Sequence, residues 1–193
     1  YILGEWSFMG FDFTVGRGVL IPRDDTEVVV NLCIDFLKNR TDKKTVDLCS
    51  GSGAIAVALD KISGAEVTAV EIDETAFSYL ETNVKENNSS VKPVMADALE
   101  ICETFADGGL DLIVSNPPYI KSADIETLQK EVQLEPRLAL DGGEDGYDFY
   151  REIVSRWSRK LKKGGALAFE LGENQADAVK AHMTDKGFSD FKI

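Results

Sequence analysis

The chain has 193 residues, 44% hydrophobic and 28% charged, and its 34 acidic against 21 basic side chains give a formal net charge of −13. That length suits one ordinary domain with a packed core, and no apolar run is long enough to cross a bilayer. The acidity excludes the broad basic face on which nucleic-acid binders rely, so neither direct nucleic-acid binding nor a membrane is expected.

The stretch WSFMGFDFTV (6–15) alternates and is rich in aromatics, as a strand is, and GRG (16–18) is expected to turn it toward VLIP (19–22) in a β-hairpin. Asp24 followed by Glu27 has the spacing of a capping box, and Val28, Val29, Leu32, Cys33, Phe36 and Leu37 are expected to form the apolar face of the ensuing helix. A soft boundary at RTDKK (40–44) separates this hairpin-and-helix front, residues 1–43, from the unit at 44–193. There TVDLC (45–49), EVTAVE (66–71), VKPVMA (91–96), LDLIVS (110–115) and GALAFEL (165–171) read as short apolar strands. Helices are expected between them over 53–62, 74–88, 98–106 and 146–161. Strands apolar on both faces, alternating with helices, predict an α/β fold with a doubly wound, mostly parallel sheet behind the front. The chain opens without methionine and stops at FKI in what reads as mid-strand, so a longer parent protein is expected.

VDLCSGSGAIAVAL (46–59) reads as a strand, a Gly51-Ser52-Gly53 turn and a helix, with glycines that let the backbone double back close to a ligand at the helix N-terminus. Residues 51–56 fit G-x-G-x-x-A, and Glu71 ends the second strand, where a carboxylate can take both hydroxyls of a ribose. A nicotinamide dinucleotide and S-adenosylmethionine share this architecture, and the loop by itself does not separate them. Asp47 favours S-adenosylmethionine. An acid just before the glycines attracts the cationic amino-acid end and repels a pyrophosphate, by about 1 to 4 kcal/mol for unit charges a few ångströms apart. Asp97, closing the third strand in MADA (95–98), sits where an adenine would be reached.

DLIVSNPPYI (111–120) ends the fourth strand with an amide, two stiff residues and an aromatic ring. In an open parallel sheet, ligands bind beyond the carboxyl ends of the strands. There the Asn116 side-chain oxygen and the Pro117 carbonyl, its direction fixed by Pro117 and Pro118, can accept both protons of a planar NH2 group. Tyr119 can stack on the group that carries it. Such bonds draw the nitrogen toward a tetrahedral form with its lone pair aimed at a methyl donor, which is catalysis by orientation and preorganised polarity rather than by a base. The single histidine, His182, is accordingly read as a surface residue on a helix. Cys33, Cys49 and Cys102 lie far apart without a CxxC, as in a reduced, cytoplasmic protein.

NPPY together with DLCSGSGAIAVAL resembles the amino-methyltransferases that depend on S-adenosylmethionine. The segment YILGEWSFMGFDFTVGRGVLIPRDDTE (1–27) is similar to the approach segment of the release factor glutamine methyltransferases, and EPRLALDGGEDGYDFYREIV (135–154) to the segment after NPPY in that family. The resemblance spans nearly the whole chain. It implies a Rossmann-like class I methyltransferase domain that methylates N5 of the glutamine in the Gly-Gly-Gln loop of peptide chain release factors, with S-adenosylmethionine as cofactor. By position it implies that Cys49, Ser50, Gly51, Ser52 and Gly53 form the methionine-side loop and that Glu71 takes the ribose. Asn116, Pro117, Pro118 and Tyr119 would hold the target glutamine, with Asn116 also close to the cofactor. Glu71 stands where aspartate is common, and Ala98 follows Asp97 where some members carry an aromatic. The family's N-terminal helical domain and its last strand are expected to be absent from this chain. Two other readings stay open: methylation of an exocyclic base amine in DNA or RNA, and a non-catalytic S-adenosylmethionine-binding partner subunit. DGGEDGYDFYRE (141–152) imitates a calcium loop at Asp141, Asp145, Gly146 and Glu152. Gly143 replaces the third ligand and Pro136 interrupts the preceding helix, so no metal is expected. Arg23, in IPR, suits either a helix entry or support of the substrate cleft.

Overall fold

The computed structural model describes residues 3–193; Tyr1 and Ile2, the first residues of the expected approach segment, lie outside the described residues. Five strands pair in parallel in the order β5-β4-β3-β6-β7. They are β3 (Lys44–Leu48), β4 (Glu66–Glu71), β5 (Lys92–Met95), β6 (Leu110–Ser115) and β7 (Leu161–Phe169). All six residues of β6 are buried, as an apolar run covered on both faces requires. The chain reverses its direction of travel across the sheet between β3 and β6, where Leu48 lies opposite Ser115 on one side and Val70 on the other. A crevice at the carboxyl ends of the strands opens at such a switch point.

The helices are α1 (Thr26–Leu37), α2 (Ala54–Ser63), α3 (Glu74–Glu86), α4 (Asp148–Trp157) and α5 (Ala176–Asp185). Among the described residues none is long and apolar enough to cross a membrane. His182 is half-buried on α5, a ring nitrogen 3.4 Å from the Arg151 carbonyl. On one face of the sheet α2 packs its alanine-rich run with α1, α3 and the hairpin aromatics Phe8 and Phe13. On the other, Trp157 is fully buried among Val46, Ile113 and Ile153, and its Nε1 donates to the Ala98 carbonyl at 2.8 Å. Trp157→Ala removes both that volume and the donor, and is expected to lower stability to urea by about 3–5 kcal/mol.

Four expectations about the elements are corrected. The hairpin lies wholly within 6–15 and its neighbours: β1 (Glu5–Phe8) pairs antiparallel with β2 (Phe11–Thr14) across Met9 and Gly10, whose φ values of 51° and 81° suit a two-residue turn. GRG instead packs on α3, where a Cβ at Gly16 would collide with Tyr79 Oη, and 19–22 forms no strand. Helix α1 buries Thr26, Val30, Cys33, Ile34 and Leu37, leaving Val28 61% and Leu32 38% exposed. Apolar residues ring this helix, so periodicity fits two faces and packing against α2 selects one. No side chain caps it, and Glu27 accepts from the Met9 N–H at 2.9 Å instead. The helix expected over 98–106 is a single 3-10 turn, Ile101–Thr104, beyond which extended Phe105 lays its ring 5.0 Å from that of Trp157.

Candidate active site

Two cavities, each of about 250 Å³, open at the carboxyl edge of the sheet. The first is walled by Cys49 to Ser52, Glu71 to Asp73, Ala96 to Leu99, Asn116 and Pro118. The second is walled by Arg23, Asn116, Tyr119, Glu135 and Glu170 with apolar neighbours. Leu20, Asn116 and Ala139 belong to both. Asn116 therefore stands at their junction.

The glycine loop departs from β3 in left-handed backbone: Cys49, Gly51 and Gly53 have φ of 59°, 54° and 84°. Gly51 and Gly53 adopt it freely, whereas Cys49 is held there against its own preference, as happens where a surrounding site dictates the backbone. A Cβ at Gly53 would meet Leu80 Cδ1 at 2.5 Å, so this glycine lets α3 close on the loop, and it lies off the cavity wall. Glu71 is the brace. Its Oε2 accepts from Gly51 N, and its Oε1 from Ile72 N and Asp73 N, all at 2.8 Å. Three of roughly four acceptor positions are thus occupied, which leaves about one for a ligand hydroxyl rather than the two expected of it. Neighbouring Asp73, not anticipated, caps α3 through Ala76 N at 2.9 Å and lines the same wall. Asp97 accepts from Leu99 N at 2.7 Å, presenting Ala98 and Leu99 to the cavity.

Asp47 lies beneath this loop, fully buried and off the wall. Among the described residues neither carboxylate oxygen has a well-aligned hydrogen-bond partner, although the Ala56 N–H lies nearby, and the Ser50 hydroxyl donates to the Asp47 carbonyl at 2.9 Å. Burial pushes the Asp47 carboxyl up to about 8, with the nearby Ser50 hydroxyl tempering the rise and the Glu71 charge adding to it. An unpartnered buried acid at this position fits a cationic ligand group above it.

Asn116 and Tyr119 are half-buried, whereas Pro117 and Pro118 are buried. Pro117 contributes to neither wall, and Tyr119 only to the second. The turn is clamped from outside. Ile120 N donates to Leu140 O at 2.9 Å, and Gly142 N to Ile120 O at 2.8 Å. A Cβ at Gly142 would fall 2.7 Å from Tyr119 Cα, and one at Gly146 2.6 Å from Tyr119 O. Gln175, also unanticipated, donates to the carbonyls of Tyr119 at 3.1 Å and Gly146 at 3.2 Å while accepting from Gly172 N at 2.9 Å. The calcium-like run supplies this clamp: Asp141 accepts from Ser122 Oγ at 2.5 Å and Gly143 N at 3.1 Å, and Asp145 pairs with Arg151 at 2.9 Å. No group of three or more metal-ligating side chains occurs among the described residues.

In the second cavity, Arg23 Nη2 donates to Glu135 Oε1 at 2.6 Å, and Thr26 Oγ1 to Glu170 Oε2 at 2.5 Å. Burial raises both carboxyls above the ordinary range; the Arg23 charge and hydrogen bond oppose it at Glu135, and the Thr26 hydroxyl and nearby Asn116 amide at Glu170. Arg23 thus belongs to the cleft. Glu135 and Glu170 were unforeseen, although FELGENQ (169–175) leaves the last strand at the same edge as NPPY.

Relatives of known kind match nearly the whole chain. Release factor glutamine methyltransferases from Clostridium acetobutylicum and Thermodesulfovibrio yellowstonii are 39% and 36% identical to this chain, covering 97% and 100% of it and 67% and 70% of their own length. The chain belongs to the release factor glutamine methyltransferase family. A third relative of that description, from Geobacter sulfurreducens, is 45% identical over 98% of the chain and 66% of its own length. The chain spans about two thirds of the length of these relatives. The methyltransferase small domain family matches residues 23–144, from Arg23 through the NPPY turn to the clamp. Among solved structures, a methyltransferase from Pyrococcus furiosus superposes with a TM-score of 0.70 at 23% identity, over 93% of this chain and 80% of its own. The hMettl16 catalytic domain, solved with the MAT2A 3'UTR hairpin 6, gives 0.73 at 18% identity over 94% of this chain and 69% of its own. The fold is thus the class I methyltransferase fold, behind an antiparallel hairpin.

Proposed function

We propose that the protein containing this chain transfers a methyl group from S-adenosylmethionine to N5 of the glutamine in the Gly-Gly-Gln loop of peptide chain release factors. The observation that carries this is the place of Asn116, where a cavity framed by the glycine loop meets a second one lined by Tyr119. The relatives' names support the acceptor. The residues present fit the cofactor. The Cys49–Gly53 backbone would hold its amino-acid end, with Asp47 acting on the ammonium as a charge beneath the loop. Glu71 and Asp73 face the ribose, and Asp97, Ala98 and Leu99 the adenine. Bound there, S-adenosylmethionine supplies a methyl group on a cationic sulfur.

The protein's own part is orientation. The Asn116 oxygen accepts an amide proton, Tyr119 stacks on the amide plane, and the clamp through Gly142, Gly146 and Gln175 keeps these groups still; the Pro117 carbonyl, read from the sequence as the second acceptor, lies off both walls. The amide nitrogen, weakly nucleophilic when planar, is drawn toward a tetrahedral form with its lone pair directed at the first cavity. No side-chain base is required, because the proton is shed only after the nitrogen has become cationic. A release factor substrate places the protein in the cytoplasm, and the charge of −13 disfavours nucleic acid as acceptor.

The full-length protein, incubated with labelled cofactor and release factor, is expected to add a single methyl within the Gly-Gly-Gln tripeptide by mass spectrometry. A factor with that glutamine replaced should stay unmodified. Equal labelling of both, or preferential labelling of DNA, would overturn the reading.

A further inference from the structure

The second cavity is unusual for one that accepts a neutral side chain. It contains a guanidinium, and Arg23 is its only cation among the described residues. A guanidinium beside an acceptor site binds carboxylates well, through paired charge-assisted hydrogen bonds. Glutamate is the acid counterpart of glutamine, almost identical in shape. Its carboxylate oxygen is also a better nucleophile than an amide nitrogen. If it attacked the donor methyl, an O–CH3 bond would form as the S–CH3 bond broke, leaving a neutral methyl ester and S-adenosylhomocysteine with no proton to shed. Reactivity therefore cannot protect the site against glutamate, and binding must.

Glu135 is placed to do this. Its Oε1 takes the Arg23 guanidinium at 2.6 Å, with only 3% of the Glu135 side chain exposed. Its Oε2 has almost no accessible surface and no well-aligned partner among the described residues, although the Ile21 N–H lies close enough to oppose the rise of the carboxyl. The guanidinium beside it offsets part of the cost of burying this carboxyl, so the two side chains hold each other in place. We propose that Glu135 is the specificity residue of the acceptor cavity: by pairing with Arg23 it withholds the cavity's cation from an incoming carboxylate, so that the cavity admits an amide and repels a carboxylate. This rests on the acceptor reading above. Glu170, which accepts from Thr26, adds a second carboxyl to the same cavity but does not pair with Arg23. Arg23 holds Glu135 in place, and removing the acid alone exposes the cation.

The test uses the full-length protein with S-adenosylhomocysteine bound, and release factor carrying either glutamine or glutamate at the acceptor position. The parent is expected to bind the glutamine form at least tenfold more tightly. Glu135→Gln should cut that preference by at least tenfold, chiefly by strengthening the glutamate form. With S-adenosylmethionine it should yield a base-labile methyl ester on glutamate. Adding Arg23→Gln to Glu135→Gln should abolish the gained glutamate binding, because the freed cation is gone. A Glu135→Gln protein that weakens both forms equally, or a double variant that still holds glutamate, would overturn the assignment and leave Glu135 a structural partner of Arg23. A parent that leaves the glutamine form unmethylated would overturn the acceptor reading, and this assignment with it.

Discussion

Asn116→Ala is expected to fold, to bind cofactor within a few-fold of the parent, and to lose methyl transfer by about 10²–10³-fold, the effect of deleting one preorganised polar group at a reacting centre. The asymmetry follows from its position. Asn116 directly follows β6, whose contacts are backbone ladder and buried aliphatic packing, so its side chain adds little to the core. It is, however, the one polar side chain shared by both cavities among the described residues. Asn116→Asp separates acceptor geometry from charge. Aspartate keeps an acceptor oxygen, but sets a negative charge beside the cationic sulfur, which stabilises the charged ground state that the reaction must discharge. It also faces Glu170, whose carboxyl lies near the Asn116 amide. Activity is expected above that of Asn116→Ala and well below the parent, in single-turnover measurements with release factor. An Asn116→Ala protein that methylates at the parental rate would reduce NPPY to a turn.

What the sequence made legible depended on how local each cause was. β4 and β6 fall on the residues read from their patterns, 66–71 and 110–115, because strands buried on both faces announce themselves as continuous apolar runs. The Gly51–Gly53 turn and NPPY were legible for a related reason: their chemistry is written in adjacent residues. The hairpin turn was misplaced because Met9 adopts positive φ, which its residue type does not advertise, whereas GRG does. The face of α1 is chosen by its neighbours and not by its own periodicity. The second cavity was the least legible part. Arg23 and Glu135 lie 112 residues apart, and Thr26 and Glu170 lie 144 apart. The stretch that delivers Glu135 is a chain of 3-10 turns, Ile125–Thr127, Val132–Leu134 and Arg137–Ala139, with no period to read. Gln175 was equally hidden, since an amide that braces a turn from a distant helix start looks like any surface glutamine until the fold buries it.

Asp47→Asn is expected to stabilise the cofactor-free protein and to weaken its hold on cofactor, opposite effects from one substitution. The carboxyl is fully buried without a partner, and burial raises it to about 8, far above an aspartate in the unfolded chain. A raised acid binds a proton in the folded state that the unfolded state has already lost. Stability therefore falls as pH rises from about 4 to about 8, by up to about 1.4 kcal/mol per pH unit, and is flat outside that window. Asparagine carries no such proton. The other acids of the chain titrate in both proteins and cancel in the comparison, so the stability of the variant minus that of the parent should grow with pH across the window in urea titrations. Cofactor binding runs the other way. A cation held by the glycine loop favours the ionised carboxylate beneath it, so the parent should release part of a proton on binding near neutral pH. Calorimetry in buffers of differing ionisation enthalpy would detect this, and the asparagine variant should release none. The variant should bind about 1.5–3 kcal/mol more weakly, the range for interactions with a charged group. A stability difference that stays flat between pH 5 and 8 would mean that water reaches the Asp47 carboxylate, and that the loop backbone holds the ligand without help from the charge below it.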